Sequence, residues 1–162
     1  MKKGILLVLV LGLMVFCATK DSNAQGGPPV LEKIWVSPEM NLGGMLKVYI
    51  KASDPDGDMR WLIVGAGRGK QVVAAVPIRL GKDMRKSING YVYFDTKRAQ
   101  RGGVATGTIE VQIEDWKGNE SEAMSATIKI MPKDAKAQKP PADFQEVAIG
   151  PIMLDNVQMP GR

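Results

Sequence analysis

The chain has 162 residues, 22 of them basic and 17 acidic, and its formal charge of +5 comes without a single histidine. That absence excludes His-dependent catalytic triads and His-ligated zinc or haem. The basic excess is too modest to argue for a nucleic-acid partner.

The first residues read as an export signal. Lys2 and Lys3 form a positive start, Ile5 to Phe16 is apolar apart from Gly12, and Thr19-Lys20-Asp21 leads to Ser22-Asn23-Ala24. The small residues Ser22 and Ala24 suit cleavage before Gln25, giving a signal peptide over 1–24 and an exported product, periplasmic or extracellular. The apolar core is shorter than the roughly twenty residues a bilayer span needs, so no transmembrane span is expected after cleavage. Cys17 opens an alternative, lipidation and a lipid-anchored place in the cell envelope, against which the bulky Phe16 stands. Cys17 is also the only cysteine. The folded part therefore has no disulfide and depends on burial, for which its 138 residues suffice in one domain.

After the Gly/Pro leader, Val30–Val36 reads as a first strand closed by the turn Ser37-Pro38. Leu46, Val48, Ile50 and Ala52 then alternate with Lys47, Tyr49 and Lys51, the period-two pattern of a half-buried strand. Asp54-Pro55-Asp56-Gly57-Asp58 is a tight turn: Pro fixes φ, Gly supplies positive φ, and Asp caps its own backbone. The apolar run Met59–Ala66 predicts a central strand, with the next turn at Gly65–Gly69. Gln71–Leu80 predicts another strand, which Pro77 assigns to an edge. Gly81–Ser87 is a charged loop with room for a helical turn, and Ile88–Asp95 carries the β formers Tyr91, Val92, Tyr93 and Phe94. Ile109, Val111 and Ile113 face inward from a strand over 108–115, Trp116–Glu120 is a turn, and Met124–Met131 is the last strand.

Seven strands with regular turn signals predict an all-β fold, an antiparallel β-sandwich over 25–131, with a small barrel as its rival. Pro132–Asp143 is expected to be a linker. The apolar Phe144–Asp155 opens an irregular C-terminal extension over 144–162, which docks on its own domain, docks on a partner's sheet edge, or stays disordered. Trp35 and Trp61 are read as core or near-core residues.

Two segments, Ala52–Asp58 and Val111–Ser121, together with the fainter Gly90-Tyr91, resemble bacterial immunoglobulin-like domains of the cadherin-like and fibronectin-like type. The resemblance spans about residues 30–131. It implies an immunoglobulin-like sandwich with the Asp54–Asp58 and Asp115–Glu120 loops at one end, and Trp116 departs from its pattern. Asp54, Asp56, Asp58, Asp115 and Glu120, with the Asn119 amide, would then converge. Either each Asp caps its own turn, or Asp54, Asp56, Asp58 and Asp115 hold one structural Ca²⁺, with backbone carbonyls and water completing its shell. No other cofactor is expected.

No catalytic motif is present, and no enzyme is expected. The first functional reading is an exported envelope module acting in adhesion or assembly with an envelope or extracellular protein. Its partner surface would comprise Trp116 and the segment bearing Phe144, Ile149, Ile152 and Leu154. The alternative is a module for acidic glycans or other polyanions, using Arg68, Arg85, Lys86, Lys97, Arg98 and Arg101 of the basic stretch 68–101.

Overall fold

A computed structural model of the chain describes residues 26–68, 71–95 and 105–152. The signal segment, Cys17, Lys97, Arg98, Arg101 and Leu154 lie outside them, as does the Arg68 side chain. The described strands are β1 (Val30–Val36), β2 (Glu39–Asn41), β3 (Met45–Ser53), β4 (Met59–Arg68), β5 (Gln71–Arg79), β6 (Ser87–Asp95), β7 (Ala105–Asp115), β8 (Met124–Met131) and β9 (Ala148–Pro151). One 3-10 turn, Lys82–Met84, lies between β5 and β6.

They form two sheets, β1-β3-β6-β9 and β2-β8-β7-β4-β5. Without β2 and β9 this is the strand order of an immunoglobulin-like sandwich. The alternating residues do what their spacing predicts. Leu46, Val48, Ile50 and Ala52 of β3 meet Ile109, Val111 and Ile113 of β7 in one core, with Leu62, Val64 and Val92. Such side chains each contribute about 1.5–3 kcal/mol on full burial. Pro77 lies in β5, an edge strand, as expected.

Three features correct the reading of the sequence. The sandwich is not wholly antiparallel, because β2 pairs parallel with β8 and β9 pairs parallel with β6. Both strands are too short to carry a periodic signal. Secondly, Gly65 and Gly67 are not turn residues. They stay in β4, paired on both sides by β5 and β7, so the ladder overrides their turn preference. Finally, Trp35 and Trp61 are only partly buried and stand outside the intersheet core. Each is one residue out of step with a core neighbour, Val36 or Leu62, so the pleat turns it to the outer face.

Residues 132–147 do not hang free as a linker. They cross the outer face of the first sheet as a strap and deliver β9 to its edge. The Ala135 N–H donates to Asn41 Oδ1 and the Gln138 N–H to Ser37 Oγ. Asp143 pairs with Lys33 at 2.9 Å, and Asn89 bonds both the Asp143 carbonyl and the Gln145 N–H. Phe144 is buried edge-on against Tyr49, their ring centroids 5.8 Å apart. Glu146 pairs with Lys47 at 2.8 Å and accepts a 2.6 Å bond from the Tyr49 hydroxyl. Tyr49 sits on the outer face yet is only 3% exposed, because the strap covers it.

The strap is held to β6 by backbone bonds of 2.8 Å, Tyr91 N–H to the Val147 carbonyl and Ile152 N–H to the Tyr93 carbonyl. This approach requires Gly90, since a Cβ there would collide with the Val147 carbonyl oxygen. Gly90→Ala is therefore expected to cost about 1–3 kcal/mol as an overpacking substitution. It should also speed amide exchange at Tyr91 and Ile152; unchanged exchange at both would refute this docking. The Tyr49 phenol is pushed up to about 12, by burial first and then by its bond to Glu146. A raised folded value means the contribution is complete below pH 10 and is lost as pH climbs from 10 towards 12. An alkaline stability loss of about 2–3 kcal/mol should follow, and Tyr49→Phe should flatten it in denaturation curves taken across that range.

Candidate functional site

The Asp54–Asp58 and Asp115–Glu120 turns do meet at one end of the sandwich, where the Trp116 N–H donates to the Asp58 carbonyl at 3.1 Å. Each is built on a glycine in the left-handed region, Gly57 at φ 70° and Gly118 at φ 82°.

Asp54 is 1% exposed and caps its own turn. Its two carboxylate oxygens accept the Asp56 N–H at 3.0 Å and the Asp58 N–H at 3.2 Å. Burial pushes its carboxyl up, and the neighbouring Asp58 adds to that, against the pull of the two N–H donors. Asp115, fully buried, is tied the same way in its own turn. It accepts N–H bonds from Lys117 and Asn119, both 2.8 Å, and a 2.7 Å bond from the Asn119 side chain. Burial alone would raise its carboxyl, yet these donors together hold it below the ordinary value.

The expected convergence of five carboxylates therefore does not form. Asp54, Asp56 and Asp58 bring oxygens within 4.8 Å of one another, and Asp115 is not in that group. Glu120 pairs instead with Gln112, and the Asn119 amide serves Asp115. The positive charge among the three is Lys117, whose ammonium lies 3.6 Å from Asp56 and 3.3 Å from Asp58. A calcium shell of about six to eight oxygens is poorly matched by two committed carboxylates and a resident ammonium. The donor set fits a lysine-closed pair of turns.

The sequence reading missed what surrounds Trp116. The indole is 43% exposed, and three guanidinium carbons stand over its ring: Arg60 at 4.6 Å, Arg85 at 5.3 Å and Arg79 at 5.8 Å. Arg60 also lies 5.3 Å from the Trp61 ring. Arg60 falls where the β4–β7 register slips between Met59 and Trp61, and a bulge re-aims its side chain. Arg79 ends β5 opposite Trp61. Arg85 follows the 3-10 turn, its carbonyl accepting the Met59 N–H at 3.1 Å. These residues are scattered over the sequence; Arg79 and Arg85 fell within the basic stretch 68–101, and Arg60 fell outside every candidate. Lys86 is exposed. The C-terminal candidates lie elsewhere: Phe144 and Ile152 are buried on the chain's own sandwich and Ile149 packs against its core, so those side chains are not a free partner surface.

Two outcomes check this account. Asp115→Ala should cost about 3 kcal/mol by removing several charge-assisted bonds from part-buried donors. Because its folded value is depressed, the Asp115 contribution is present above pH 3.8 and lost as pH falls below it, so the variant should show a shallower acid limb. Millimolar Ca²⁺ should leave the melting temperature where a chelator leaves it, and a rise would show that the ion binds.

No protein-family model matches the chain, and no curated protein matches it significantly. Among solved structures it is similar to the PKD domain of an M14-like peptidase from Thermoplasmatales archaeon SCGC AB-540-F20. The two share 16% identity at a TM-score of 0.44, over 67% of this chain and 99% of that one.

Proposed function

We propose that the chain is a non-catalytic interaction module of an exported protein, acting in adhesion or in assembly at the cell envelope. The observation that carries this reading is the loop end of the sandwich. There a partly exposed tryptophan is fixed by backbone and flanked by three arginines, the residue types that dominate binding surfaces. The export signal read from residues 1–24 supplies the compartment. The lack of histidine, and of any cysteine after the signal, restricts catalysis to carboxylate or Ser/Lys chemistry, for which the sequence carries no motif. The partner surface is centred on Trp116, since Phe144, Ile149 and Ile152 are packed on the sandwich itself.

A photo-crosslinking residue placed at Trp116 in the exported chain should capture a discrete partner in cells. The same residue at the exposed Met45, which begins β3 at the opposite end from the Asp54 turn, should not. Equal capture at both positions, or turnover of a hydrolase substrate by the purified chain, would overturn the proposal.

A further inference from the structure

Three buried side-chain polar atoms lack a hydrogen-bond partner among the described residues: Asp58 Oδ1, Arg60 Nε and Arg85 Nε. All three belong to the end of the sandwich around Trp116, two of them to arginines on its ring. Each such atom costs about 1–3 kcal/mol, so their gathering in one place calls for a cause. Further, Arg60, Arg79 and Arg85 form no ion pair among the described residues, although they share one ring. Three guanidiniums about one indole repel each other until an anion enters.

The surroundings narrow the anion. Lys117 is already engaged by Asp56 and Asp58, whereas the three guanidiniums, among the described residues, are not, so the anion is drawn to the arginines. Guanidinium forks bind carboxylates in a bidentate manner, and an exposed indole offers a flat apolar face. A carboxylate and a flat apolar ring face occur together in a uronic acid.

Resting on the reading of this end as the interaction surface, we propose that Trp116, Arg60, Arg79 and Arg85 form a site for a uronic-acid unit of an acidic polysaccharide. The ring packs on the exposed part of the indole, and the carboxylate takes the guanidiniums.

The test is calorimetric titration of the full chain with tetragalacturonate, its methyl ester and tetraglutamate. Saturable binding of the acid is expected, weakened roughly tenfold or more, about 1.4 kcal/mol, by esterification and by Trp116→Ala or Arg85→Gln. Arg79→Gln, at the exposed end of β5, should weaken binding without moving the melting temperature, which separates lost contact from lost fold. No saturable binding at millimolar tetragalacturonate, equal binding of the ester, or binding of tetraglutamate alone would overturn the proposal. A partner crosslinked through position 116 without any uronate binding would sink the sugar site and leave the interaction module standing. Uronate binding without a crosslinked protein would do the reverse for protein assembly.

Discussion

The open edge of β6 is the constraint on which the rest of this molecule depends. Between β5 and β6 the chain makes only a short 3-10 turn, where a constant-type immunoglobulin sandwich would place another strand in that sheet. Unpaired N–H and C=O groups along β6 must find partners or stay as a template for aggregation. The chain supplies the partner itself, from far along its own sequence, as β9. Bringing it there determines the path of the strap. The strap in turn buries Tyr49, orders Lys33, Lys47 and Asn89, and removes Phe144 from solvent. One edge thus organises an entire face.

The other end of the sandwich follows a different logic, in which charge is settled locally. Asp54 and Asp115 spend their oxygens on the N–H groups of their own turns, and so fix the shape of each loop. Lys117 then bridges to Asp56 and Asp58 across the two turns. With both loops rigid, Trp116 is held at the surface while its main chain is anchored to Asp58. The arginines arrive from three separate elements, so the composition of the site reflects the fold and not a contiguous motif.

Much of this was legible in the sequence, and the boundary of legibility has physical causes. Period-two alternation at Leu46–Ala52 and Ile109–Ile113 marked the core faces, because burial on one side of a pleat leaves that signature. Turn chemistry placed the two Asp-rich loops, since Gly57 and Gly118 meet a local demand for positive φ. Short strands were invisible: three or four residues at Glu39–Asn41 and Ala148–Pro151 hold too few alternations to be distinguished from loop. Trp35 and Trp61 were read as core or near-core, but a tryptophan's identity does not say which face of the pleat it takes. The arginine ring needed a bulge at Arg60 and the ends of two other segments, and no local pattern reports such a convergence.

The parallel pairing of β9 with β6 also has a bearing on time. Lys33 and Asp143 are separated by 110 positions, and the residues that complete the first sheet follow every other described strand. Chains made and threaded from the N-terminus cannot close such a contact early, and contacts of long sequence separation are slow to form. Until residues 144–152 arrive, β6 travels with a bare edge and Tyr49 with a wet ring. The sandwich is therefore fastened last by its own tail, and any nascent or clipped chain lacking that tail exposes a strand that invites another chain to pair with it.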